Sequence, residues 1–85
     1  MPTDDKEYTQ SVDLAYLAIM KGEIEEALEL CHSAARQKPL GLEHLYLLGL
    51  VSILLKDIGR GIKFFEEGHH RAPNNKEFAD ALAAL

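Results

Sequence analysis

Cysteine is almost absent from this chain, tryptophan is missing, and only three of its 85 residues are proline. The lone Cys31 cannot close an internal disulfide, so a disulfide-stapled secreted scaffold is excluded and a reducing cytoplasm is the expected compartment. No apolar segment of the secretory type follows Met1-Pro2-Thr3-Asp4-Asp5, which agrees with that expectation. Basic residues are in deficit: 9 Lys and Arg stand against 14 Asp and Glu, a formal net charge of −5. No lysine or arginine cluster offers the footprint that phosphates require, which argues against nucleic acid and anionic membrane as partners. Long apolar runs are missing too. The longest near-apolar stretch, Leu45 to Leu55, falls well short of the roughly 20 residues a spanning helix needs, so no membrane insertion is expected. Nowhere does an apolar/polar alternation of period two persist, so no strand is expected.

What remains is 47% apolar, too much for disorder and enough, at this length, for a single domain over residues 1–85. Punctuation recurs at Lys21-Gly22, Pro39-Leu40-Gly41, Asp57-Ile58-Gly59 and Pro73-Asn74-Asn75. Between these marks the pattern predicts five helices near residues 4–20, 23–37, 42–56, 59–71 and 75–84. Asp4 with Glu7, and Asn74 with Glu77, have the spacing of a capping box at the first and last of these. The second carries Glu23, Glu25 and Glu26 in its first turn and Arg36 and Lys38 at its end, the polarity that suits a helix macrodipole. The third is apolar around nearly its whole circumference and should be the centre of the domain.

Comparing the chain with itself at a shift of 34 residues aligns Leu14 with Leu48 and Leu82, Ala15 with Gly49 and Ala83, and Leu17 with Val51 and Leu85. The same shift aligns Ala27 with Gly61, Leu28 with Ile62, Cys31 with Phe65, Ala34 with Gly68 and Pro39 with Pro73. Small residues recur where two antiparallel helices must approach, with Leu14/Leu48 and Leu28/Ile62 expected as the knobs beside them. The prolines end each second helix. Leu14, Ala15, Gly22, Ala27, Ala34 and Pro39, the turn Gly22-Glu23-Ile24-Glu25-Glu26-Ala27 and the junction Ala72-Pro73-Asn74-Asn75 together resemble the tetratricopeptide repeat family. The resemblance implies an all-α tandem of antiparallel helix-turn-helix repeats: repeat 1 at about 8–41, repeat 2 at about 42–75, and a closing helix at about 75–85. Ser11, Ala18 and Ser52 depart from it, standing where the family often carries bulky residues. Gly61 and Gly68 are expected to weaken the fourth helix by roughly 0.5 to 1 kcal/mol each relative to alanine.

No constellation of catalytic residues emerges. Cys31 aligns with Phe65 on the buried face, where a thiol is inert packing. His69 and His70 are adjacent and diverge by about 100° on a helix, while Glu66 with His70 makes two ligands where zinc needs three or four from the protein. Gly59-Arg60-Gly61 is no phosphate loop. Neither catalysis, nor a metal, nor a cofactor is expected. The acidic run Glu23, Glu25, Glu26, Glu29 reads as a solvated helix face.

The surface expected to act lies on the first helix of each repeat. Val12, Tyr16, Ile19 and Met20 form one stripe, and 34 residues later Tyr46, Leu50, Ile53 and Leu54 repeat it. In the family this face lines a concave groove that holds a partner. The resemblance therefore implies a non-enzymatic protein-binding module whose partner is an amphipathic helix or apolar peptide segment. The lysines and asparagines of grooves that grip a terminal carboxylate are absent, since this face carries Thr9, Val12, Asp13 and Tyr16, then Glu43, Tyr46, Leu47 and Leu50. Two alternatives accompany that reading: a homo-oligomer, because about three repeats normally make a stable stack, and a small chaperone for an apolar secreted subunit.

Overall fold

The computed structural model describes the backbone of residues 3–85 and the side chains of residues 6–85. Five helices follow one another: α1 (Thr3–Lys21), α2 (Ile24–Gln37), α3 (Glu43–Leu54), α4 (Ile58–Arg71) and α5 (Lys76–Ala84). Among the described residues there is no strand. Two-residue and three-residue turns fold α2 back along α1 and α4 back along α3, giving two antiparallel hairpins and a closing helix. The Cα atoms fill a slab of 36 × 29 × 16 Å, about two helices deep. α3 packs against α1, α2 and α4, and its buried residues His44, Leu45, Leu47, Leu48, Gly49, Val51 and Ser52 cover most of its circumference.

The internal repeat extends to individual hydrogen bonds. At the first turn Gly22 N–H donates to Ile19 O (3.0 Å) and Glu23 N–H to Ala18 O (2.8 Å); at the second, Lys56 donates to Ile53 O (2.9 Å) and Asp57 to Ser52 O (2.9 Å). Each pair satisfies the carbonyls left open at a helix end in the Schellman arrangement, which requires a left-handed residue after the helix. Gly22 supplies it at φ 81°, and Lys56 supplies it at φ 69° with a side chain attached. Beyond the hairpins, Lys38 N–H donates to Ala34 O and Ala72 N–H to Gly68 O, both at 2.9 Å, before Pro39 and Pro73 turn the chain.

Capping differs in detail from the expected boxes. The side chain of Asp4 lies outside the described residues. At α5 the cap is Asn75 rather than Asn74: its Oδ1 accepts from Glu77 N–H at 2.8 Å. Asp57 caps α4 by accepting from Arg60 N–H at 3.2 Å.

Ala15, Ala27, Cys31 and Ala34 are fully buried, as the close-approach reading requires. Ala15 and Cys31 pack with Leu47 and Leu48, Ala18 and Ala27 with Val51, and Leu45 with Phe65 and Phe78. Ser11 and Ser52 are buried small residues with hydrogen-bond partners, Ser11 Oγ donating across to Gln37 Oε1 of α2 (3.3 Å) and Ser52 Oγ to Leu48 O of its own helix (2.9 Å). Leu14 is a correction. It is 46% exposed, whereas its counterpart Leu48 is 6% exposed. Leu17 and Val51 diverge the same way, at 50% and 1%. The preceding hairpin covers α3 with Ala18, Ala27, Ile24, Leu28 and Leu30, and no described helix does the same for α1.

Gly61 sits at the expected close approach of α4 to α3, whereas the neighbour of Gly68 comes from α5. A methyl group on Gly68 would overlap the Phe78 ring, and one on Gly61 would reach the Ile53 side chain and, at 3.1 Å, the Gly49 carbonyl. Their intrinsic helix cost stands against the packing they admit, the Phe78 ring at Gly68 and the Ile53 side chain at Gly61.

Candidate functional site

α1, α3 and α5 present side chains to one open groove of about 460 Å³, lined by Val12, Asp13, Tyr16, Leu17, Glu43, Tyr46, Leu47 and Glu77. Of the eight residues expected there, Val12, Tyr16 and Tyr46 line it. Ile19, Leu50 and Ile53 do not. They are half-buried and pack into the interior clusters, Ile19 beside Ala18 and Val51, Leu50 beside Leu45 and Phe65, and Ile53 beside Phe65. Met20 and Leu54 are exposed, at 68% and 50%, and lie outside the lining of this groove.

The groove's floor is pre-ordered by aromatic packing. Tyr46 lies 5.6 Å from the Phe65 ring, tilted by 45°, and 5.9 Å from the Phe78 ring, near edge-on at 73°. Because Phe78 is the buried anchor of α5, Tyr46 ties the floor of the groove to the closing helix. Tyr16, 52% exposed, is the freer aromatic on the opposite wall. Asp13, Glu43 and Leu47, read on this face from the sequence, also line it, whereas Leu17 and Glu77 were not anticipated. For Glu77 the repeat held a usable signal, since it stands 34 residues after Glu43. Leu17 lies one residue off the stripe and had none.

Beside the groove, at the first inter-repeat junction, Tyr8 joins α1 to α3. Its hydroxyl donates to Glu43 Oε1 at 3.0 Å, accepts from His44 N–H at 3.2 Å, and lies 3.0 Å from His44 Nδ1. One donor and two acceptor sites are thereby used if His44 carries its proton on Nδ1, which assigns that tautomer to the neutral ring. The rings meet edge-on at 5.8 Å, and the Lys38 ammonium sits 5.3 Å from the Tyr8 centroid. Gly41 leaves the space that the Tyr8 hydroxyl occupies. Burial pushes the Tyr8 phenol up to about 12, the Glu43 carboxylate adding to the effect and the His44 N–H opposing it. Burial also lowers the His44 pKa, helped by the Arg71 charge and opposed by Glu43. This junction was missed because Tyr8 and His44 are 36 residues apart and neither fits a recurring pattern.

Cys31 is enclosed, and burial raises its thiol to about 11, so it holds little thiolate near neutrality. Among the described residues no three His, Cys, Asp or Glu side chains are grouped so as to hold a metal ion. Nor is any described helix long and apolar enough to cross a membrane. No family model, curated protein or solved structure matches the chain.

Proposed function

We propose that this chain is a non-catalytic protein-binding module of the tetratricopeptide type, working in a reducing cytoplasm and taking an amphipathic helix or apolar segment into the groove between α1, α3 and α5. The observation that carries this reading is an open apolar floor, Val12, Tyr16 and Leu17 from α1 with Tyr46 and Leu47 from α3, the first helices of the two hairpins. An apolar face of a partner helix, with anchors at i, i+3, i+4 and i+7, is the ligand such a surface suits. Aromatic side chains dominate such contacts more often than area does, which makes Tyr16 the residue to change.

The probe is a labelled synthetic helix with leucines at that spacing, followed by fluorescence anisotropy. Tyr16→Glu and Leu17→Glu each place a charge on the exposed part of the floor and should weaken binding while leaving helix content unchanged. Glu26→Lys, on the exposed face of α2, should leave it intact. Leu50 is no clean probe, because it packs into the interior. Equal binding by wild type and Tyr16→Glu would sink the groove reading.

The exposure of Leu14 and Leu17, whose counterparts are covered, favours self-assembly as the second reading. It predicts a mass in solution that rises with concentration, and that Leu14→Ser with Leu17→Ser abolishes the rise. A monomer at every concentration removes it.

A further inference from the structure

The side chains lining the groove include Asp13, Glu43 and Glu77 and no lysine, arginine or histidine. Each comes from a different helix, α1, α3 and α5 in turn, and Glu43 and Glu77 stand 34 residues apart in the first turns of α3 and α5. Tyr8 holds the Glu43 carboxylate in place through Oε1. Two ion pairs between described residues, Arg60 with Asp57 and Arg71 with Glu67, lie elsewhere.

Carboxylates standing in water beside an apolar floor cost nothing until a partner covers them. A neutral or acidic segment pressed into the groove would strip their hydration and return nothing. A segment carrying lysine or arginine beside its apolar face would replace that water with charge-assisted hydrogen bonds. A second copy of this chain is a poor occupant by the same reasoning, because each copy carries a formal charge of −5.

We infer that the groove selects a cationic amphipathic segment, its apolar side chains on the floor built by Tyr16, Tyr46 and Leu47 and its flanking lysines or arginines on Asp13, Glu43 and Glu77. The inference rests on the groove being a docking surface and adds the chemistry of what docks.

Two synthetic helices with the same leucine face separate the two levels, one flanked by lysines and one by glutamates. The lysine peptide should bind roughly tenfold tighter at low salt, equivalent to about 1.4 kcal/mol, and the preference should shrink as salt screens the rim. Asp13→Asn with Glu43→Gln and Glu77→Gln should erase the preference while leaving the floor intact. Asp13→Asn with Glu77→Gln, which spares the acceptor used by Tyr8, should erase most of it even if the triple variant folds poorly. Equal binding of both peptides to wild type overturns the charge inference and leaves the groove reading standing. Binding of neither overturns both. A doubling of mass that Tyr16→Glu abolishes overturns the inference in favour of a second copy.

Discussion

In the first hairpin α1 and α2 meet through Ala15, Cys31, Ala27 and Ala34; in the second, the equivalent positions of α3 and α4 hold Gly49, Phe65, Gly61 and Gly68. The differences compensate in pairs. Where Cys31 becomes Phe65, Ala15 becomes Gly49, and a methyl group on Gly49 would overlap that phenyl ring. Where His44 becomes Phe78, Ala34 becomes Gly68, whose missing methyl would overlap the second ring. One backbone plan thus holds two interiors, because close packing is sensitive to total volume rather than to any one residue. The second hairpin trades helix propensity for aromatic burial, and the aromatic cluster it gains is the one that supports Tyr46 in the groove.

The largest expected difference between the hairpins lies at the paired leucines. Leu48→Ala should cost about 2 to 5 kcal/mol in urea unfolding, and Leu14→Ala well under about 1 kcal/mol, because only the first empties a packed site. Equal costs would mean that Leu14 is covered in solution, which is also the signature of self-assembly.

Next come the compensating pairs. Gly49→Ala should cost roughly 1 to 3 kcal/mol despite alanine's better helix propensity, since the Phe65 ring has to move. Adding Phe65→Cys recreates the first hairpin's pair, and a double-mutant cycle should return favourable coupling. Gly59 is the control. Open space surrounds it, so Gly59→Ala should stabilise by about 0.5 to 1 kcal/mol.

The turns differ by less. Lys56 holds the left-handed position that Gly22 fills in the first turn, so Lys56→Gly should stabilise by about 1 kcal/mol and Gly22→Ala should destabilise by a similar amount. Thermal melts of the two variants decide it.

The features legible in the sequence were those that a repeat imposes twice. Five helices, the close approaches at Ala27 and Ala34, the chain reversals at Pro39 and Pro73 and the central place of α3 all follow from periodicity and spacing. Leu14 misled because periodicity names the face of a helix without saying whether another helix covers it. Gly68 misled because its intrinsic helix cost is local, while the Phe78 ring it admits arrives from the next helix. For the groove, Val12, Asp13, Tyr16, Glu43, Tyr46 and Leu47 were legible, but Ile19, Leu50 and Ile53 pack inward, Ile19 against Ala18, Ala27 and Val51 and the other two against Leu45, Phe65 and Phe78. Tyr8 and His44 occur once, and a contact without a repeat leaves no mark in self-comparison.

That unrepeated contact supplies the last comparison, between the two junctions. Tyr8 and His44 at the first correspond to Leu42 and Phe78 at the second, where Leu42 packs against the cluster of Leu45, Phe65 and Phe78. One junction titrates and the other does not. His44 is held by Tyr8 from α1, by Glu43 on its own helix and by the field of Arg71 from α4, with burial the largest influence on its pKa. Because the folded state lowers that pKa below 6.5, the unfolded chain binds the proton first as pH falls. Stability from this group is therefore complete above about 6.5 and is lost progressively on acidification below it. Tyr8 works at the other end: raised to about 12, it makes the fold lose stability as pH climbs above the ordinary phenol value of about 10. His44→Asn keeps a donor near the Tyr8 hydroxyl and cannot titrate. It should lower stability modestly at pH 7.5 and flatten the decline between roughly pH 7 and pH 5 in denaturant titrations. Should the variant and the wild type decline in parallel across that window, the acid sensitivity belongs to other groups and the two junctions are electrostatically alike.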